Sequence, residues 1–130
     1  MTAPTRTCFV IMPFSDCGGV TEAEWTDFFV NDLKPAVEGA GLGYECRRSD
    51  ASRGNIVADI LSDLRESYLV IADLTGNNPN VFYELAVRHC LGSRTILIAR
   101  DISSVPFDLR GYGCLEYGFD SPQGSHHKFV

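Results

Sequence analysis

The stretch from 72 to 91, ADLTGNNPNVFYELAVRHCL, sets Asp73 at the end of an apolar strand and Glu84 inside the helix that follows, aiming two carboxylates near one crevice. Carboxylates so placed can stabilise a developing positive charge or trap it covalently. The strand that delivers Asp73 is the run 68 to 72, rich in β-branched and aromatic residues, as expected of a strand buried on both faces of a parallel sheet. Leu74-Thr75-Gly76-Asn77-Asn78 carries turn chemistry, and Asn78-Pro79 reads as an N-cap followed by proline at the first helical position. Open α/β sheets bind ligands beyond the carboxyl ends of their strands, which is where Asp73, Asn77, Asn80 and Glu84 fall.

A simpler reading of Glu84 stands beside this one. Asn80, Glu84 and Arg88 form one polar stripe at helical spacing, with Val81, Phe82, Leu85, Ala86 and Cys90 on the apolar side. Glu84 and Arg88 then make a solvated i,i+4 ion pair, worth roughly 0.3–0.5 kcal/mol and needing no function. Against it, the stripe is narrow, flanked by Val81 and Leu91, and starts beside a loop with two asparagines, more like a pocket wall than an open surface.

Composition limits the alternatives. A chain of 130 residues suits one domain with a substantial core, here residues 1–130 with its core at about 7–117 and a tail over 118–130. The formal charge of −6 provides no basic stripe for a nucleic-acid polymer, while leaving room for a small nucleotide. Five scattered cysteines without CxxC spacing read as reduced thiols of a cytoplasmic protein, and no ligand cluster suggests a metal. The segment MTAPTRTCFVIM is too short and too weakly charged for a signal peptide or a membrane span, so no membrane association is expected.

The remaining elements alternate. TCFVIM, 7 to 12, reads as a first strand ended by Pro13; its loop carries Phe14, Ser15 and the Gly18-Gly19 pair, a weak phosphate cradle and equally an ordinary loop. Thr21 and Glu24 form a capping box for a helix whose Trp25, Phe28, Phe29, Leu33, Ala36 and Val37 keep helical spacing toward Gly39, with Pro35 expected to kink or interrupt it. A second strand over 42 to 47 leads into RRSDASRGN, where Arg47, Arg48 and Arg53 either hold a phosphate or carboxylate or form a solvated cluster. A surface helix over 55 to 67 places Ile56, Ile60, Leu61 and Leu64 on one face. Gly92 stops the Glu84 helix; TILIA, 95 to 99, is a further strand; 105 to 110 suggests a short turn or helical piece; and 113 to 117 is a modest last strand. His126 and His127 in the tail read as solvated. This spacing predicts a flavodoxin-like three-layer α/β sandwich around a five-stranded parallel sheet in the order 2-1-3-4-5.

Taken together, FVIMPFS, RRSD, ADLTGNNPNVFYEL and ILIARDISSVPFDLR resemble the nucleoside 2-deoxyribosyltransferase-like superfamily, including its TIR-like bacterial members, over roughly residues 7 to 117. The resemblance implies cleavage of the N-glycosidic bond of a nucleoside, nucleotide or NAD, by hydrolysis or transfer, with the glutamate after the third strand, here Glu84, as nucleophile or stabiliser. It further implies that Asp73 and Asn80 orient sugar hydroxyls, that Phe14 and Tyr83 stack on a base, and that Ser15, Asn77 and Arg48 complete the substrate site. No cofactor is implied, NAD entering only as a substrate. No dedicated general acid is evident, which suits a nicotinamide leaving group better than a base that must be protonated. A homo-oligomer is implied as well, as is an alternative: a non-catalytic nucleotide-binding or signalling module built on the same crevice.

Overall fold

The fold is that of a computed structural model describing residues 5–48, 56–91, 94–106, 109 and 113–118. Five parallel strands, β1 (Arg6–Ile11), β2 (Tyr44–Arg48), β3 (Leu69–Asp73), β4 (Thr95–Ala99) and β5 (Leu115–Glu116), form one sheet in the order 2-1-3-4-5. The expected flavodoxin-like α/β sandwich is therefore what the chain adopts.

The sheet is buried on both sides along its central strands β1, β3 and β4, which are apolar at consecutive positions. Cys8, Val10, Met12, Ile71 and Ile98 turn to one face, where they meet Trp25, Phe28, Phe29 and Leu33. Phe9, Ile11, Val70, Ala72, Leu97 and Ala99 turn to the other, against Leu64, Val81 and Leu85. Successive side chains of a strand point to opposite faces, so each of the central strands β1, β3 and β4 serves both layers. At about 1.5–3 kcal/mol per fully buried large apolar side chain, the two layers hold the domain without covalent help, and all five cysteines are free thiols.

The first layer is built by α1 (Glu22–Phe28), a π-helical turn (Phe29–Leu33) and α2 (Lys34–Glu38). Thr21 and Glu24 form the expected capping box: the Glu24 N–H donates to Thr21 Oγ1 at 3.2 Å and the Thr21 N–H to Glu24 Oε1 at 2.9 Å. Pro35 interrupts the helix without breaking it. Lacking an N–H and crowding the preceding turn, it is accommodated by a widened turn in which the Lys34 N–H reaches back to the Phe29 carbonyl.

The second layer holds α3 (Ile56–Glu66) and α4 (Pro79–Leu91). Leu64 is fully buried, but Leu61, expected on the inner face, is 42% exposed. β2 starts at Tyr44, after Gly43 at φ +79°, so Leu42 lies outside the strand and in solvent. β5 has only two residues, and a 3-10 turn over Ile102–Ser104 precedes the expected piece, in which Leu109 is helical and its N–H donates to the Pro106 carbonyl at 2.9 Å. Arg53, Asn55, Gly92, residues 107 to 108 and 110 to 112, and the tail beyond Gly118 with its two histidines lie outside the described residues. Among the described residues no helix is long and apolar enough to cross a membrane.

Candidate functional site

In a 2-1-3-4-5 sheet the connections after β1 and β3 leave in opposite directions, which opens a crevice at the carboxyl ends of these two strands. Here the two loops touch. Gly18 (φ +64°) and Gly76 (φ +83°) approach so closely that a Cβ on Gly76 would lie 2.6 Å from Cys17 Sγ and 2.8 Å from Gly18 Cα. Only glycine fits this geometry. Beside the contact lies a cleft of about 640 Å³, within the range of small-molecule sites. It is lined by Gly18, Gly19, Thr75 and Gly76 from the two loops together with Arg100, Asp101, Ser104, Tyr117 and Gly118.

Asp73 lies beneath this cleft, fully buried. One carboxylate oxygen accepts from the Thr75 N–H at 3.0 Å and the other from the Tyr117 hydroxyl. Burial pushes its carboxyl up to about 6, against the opposing pull of Tyr117, Thr75 and the nearby Arg100. The same burial, with the Asp73 charge, pushes the Tyr117 phenol well above its ordinary value. Tyr117 stacks on Phe28 with centroids 5.0 Å apart and planes within 5°. Asp73 thus ties the end of β3 to the chain after β5, and what the cleft meets is Tyr117, held from below. Both Asp73 oxygens are engaged inside the protein, at the Thr75 N–H and the Tyr117 hydroxyl.

Glu84 is set by α4. Asn78 caps that helix as expected, its Oδ1 accepting from the Asn80 and Val81 N–H groups at 2.8 and 3.3 Å. Two turns further on, Arg88 is only 4% exposed and donates to the carbonyls of Leu64, Ser67, Tyr68 and Arg94. Its guanidinium therefore clasps the end of α3 and the entries to β3 and β4. A solvated Glu84–Arg88 pair is thereby excluded: both residues are buried, and Arg88 directs Nη1 and Nη2 to backbone carbonyls while its Nε has no partner among the described residues. Glu84, one turn earlier on the same face, is 8% exposed and has no hydrogen bond or ion pair among the described residues. Burial alone pushes its carboxyl up to about 7. A buried carboxylate without a partner is costly, and such groups gather at functional sites.

The other expected residues scatter around these two centres. Asn77 adopts φ +52° and donates to the Ser104 carbonyl at 3.3 Å, bracing the rim of the cleft. Asn80 is exposed at the start of α4, and Tyr83 is 67% exposed on its outer side. Phe14 and Ser15 follow β1, half-buried and exposed. Arg48 ends β2, donates to Thr26 Oγ1 at 2.8 Å and lies over the Phe29 ring. None of these residues, nor Asp73 or Glu84, is among those that line the cleft. Sequence reasoning missed Arg100, Ser104 and Tyr117; applying the strand-end rule to TILIA would have pointed to Arg100, whereas nothing local marks Tyr117. Among the described residues no three His, Cys, Asp or Glu side chains converge on a metal site. Neither models of known protein families nor curated proteins match this chain.

Proposed function

We propose that the protein cleaves the N-glycosidic bond of a nucleoside, nucleotide or NAD, with Glu84 as nucleophile or electrostatic stabiliser. The observation that carries this reading is Glu84 itself: a carboxylate kept buried and without a partner among the described residues, on the helix that follows the loop of the switch-point crevice. Rupture of a C1′–N bond passes its electron pair to the base nitrogen and leaves positive charge on the sugar. An ionised Glu84 either neutralises that charge or forms an ester to C1′ that water then opens. The burial that makes Glu84 basic also makes it the stronger nucleophile once ionised. NAD needs no proton donor, because its nicotinamide nitrogen is cationic before cleavage and neutral after it. The proposal is tested by incubating the purified protein with deoxynucleosides, nucleotides and NAD and following products by chromatography. Free base or nicotinamide is expected; its absence even in concentrated samples, which would favour any assembly that activity requires, would count against catalysis.

A second reading is favoured by the separation of Glu84 from the residues that line the cleft. Glycine-rich loops at a switch point, with Arg100 and Ser104 lining the same cleft, suit recognition of a nucleotide without turnover. In that case nucleotides raise the melting temperature by selective binding to the native state while the same chromatography shows no product.

A further inference from the structure

The pole of the sheet opposite the cleft carries an arrangement that the proposed reaction does not use. Arg6 opens β1, Tyr44 opens β2, Tyr68 precedes β3 and Arg94 precedes β4, so all four meet at the amino-terminal ends of neighbouring strands. The guanidinium carbons of Arg6 and Arg94 lie 4.4 and 3.8 Å from the centroid of the Tyr68 ring, which places them on the order of 8 Å apart or less. Tyr44 sits against the same ring at 6.1 Å. Arg94 is fixed further by Nε donating to the Tyr68 carbonyl at 2.9 Å.

Neither arginine pairs with a carboxylate among the described residues, although the chain as a whole carries a formal charge of −6. Of the acids at the end of α3, Asp63 pairs with Arg47 and Glu66 with Arg65, while Glu45, beside Tyr44 on β2, forms no ion pair with either arginine among the described residues. Buried Arg88 adds a third positive charge nearby, and burial, with a smaller push from the Arg94 charge, holds that guanidinium below its ordinary value. The carbonyls at the end of α3 account for Arg88. They do not account for Arg6 and Arg94, which are exposed, stacked and without a carboxylate partner among the described residues. Ser67 Oγ and Thr95 Oγ1, beside Tyr68 and Arg94 in the chain, are buried with no partner among the described residues, so this end of the sheet holds unused polar capacity as well.

We propose that the Arg6–Tyr68–Arg94 stack is an oxyanion site that takes a dianionic phosphate monoester. Two guanidinium forks held against one ring present planar donor pairs to tetrahedral oxygens, and stacking on the tyrosine spares much of the entropy of ordering two long side chains. Two unneutralised positive charges match a group carrying two negative ones. A single phosphate also fits the acidic character of the rest of the chain, which would repel a polymer.

The test is a calorimetric titration of the whole protein with inorganic phosphate at constant ionic strength and about pH 8, where phosphate is dianionic. Binding is expected for the unaltered chain and should weaken by about tenfold or more in Arg6→Gln/Arg94→Gln. Arg6→Gln alone keeps the test secure, because the Arg6 side chain makes no hydrogen bond among the described residues; several-fold weakening is expected with the melting temperature nearly unchanged. A nucleoside monophosphate and a phosphoserine peptide, titrated in parallel, show by the tighter partner whether the phosphate belongs to a metabolite or a protein. No phosphate effect beyond that of chloride would overturn the proposal. So would binding that survives Arg6→Gln/Arg94→Gln or that disappears instead in Arg100→Gln, which would move the anion to the cleft.

Discussion

Glu84→Gln is expected to lower glycosidic turnover by about 10³-fold or more while leaving ligand affinity within a few-fold. The substitution keeps length and volume and removes the charge that opposes the developing oxocarbenium ion. It also removes a burden from the fold. Because burial raises the Glu84 carboxyl from 4.5 to about 7, the folded state keeps a proton over that interval that the unfolded chain has released. Its contribution to stability is therefore greatest below about pH 4.5 and declines as pH rises through about 7. Relative to the unaltered protein, Glu84→Gln should gain up to about 3 kcal/mol between mildly acidic and mildly alkaline solution, at 1.4 kcal/mol per pKa unit. Urea unfolding at several pH values alongside the turnover assay reads both effects. A merely structural Glu84 would show the stability change with no loss of turnover.

Replacing Arg88 has a large effect of another kind. Arg88→Met retains much of the apolar stem but leaves the Leu64 and Ser67 carbonyls, now served at 2.8 and 2.9 Å, without that donor. Each buried acceptor left unpaired costs about 1–3 kcal/mol, offset in part by no longer burying a cation. A net loss of about 3 kcal/mol is expected, a large share of the 5–15 kcal/mol typical of a domain. The check is a lower urea midpoint with an unchanged slope. A loss under about 1 kcal/mol would mean that the four carbonyl bonds do not hold α3 and the strand entries together. Arg88→Lys should rescue only part of the loss, since one ammonium cannot reproduce a guanidinium spread over four carbonyls.

The contrast between Glu84 and Arg88 shows what the sequence makes legible. Strand order, capping at Thr21 and Asn78, and the interruption at Pro35 follow from apolar runs, turn residues and helix-end chemistry, which act within a few positions of chain. The position of Glu84 on α4 follows from the same periodicity. What periodicity cannot supply is a partner. Arg88 at i+4 looks like the mate of Glu84, yet its donors go to carbonyls 20 to 24 residues earlier in the chain and to Arg94, six residues on. Asp73 looks like a ligand-facing strand-end acid until Tyr117, 44 residues later, occupies it. The cleft likewise depends on Gly18 meeting Gly76, a contact between two loops that each read as ordinary turns.

The ionisation of Glu84 carries the functional account, and it can be measured without knowing the substrate. The carboxyl carbon of Glu84, assigned through Glu84→Gln and followed by NMR from acid to alkaline pH, should titrate with a midpoint near 7. A midpoint near 4.5, the ordinary glutamate value, would mean that the carboxylate is solvated or paired, and would contradict the assignment of Glu84 as the basic group at the reaction centre.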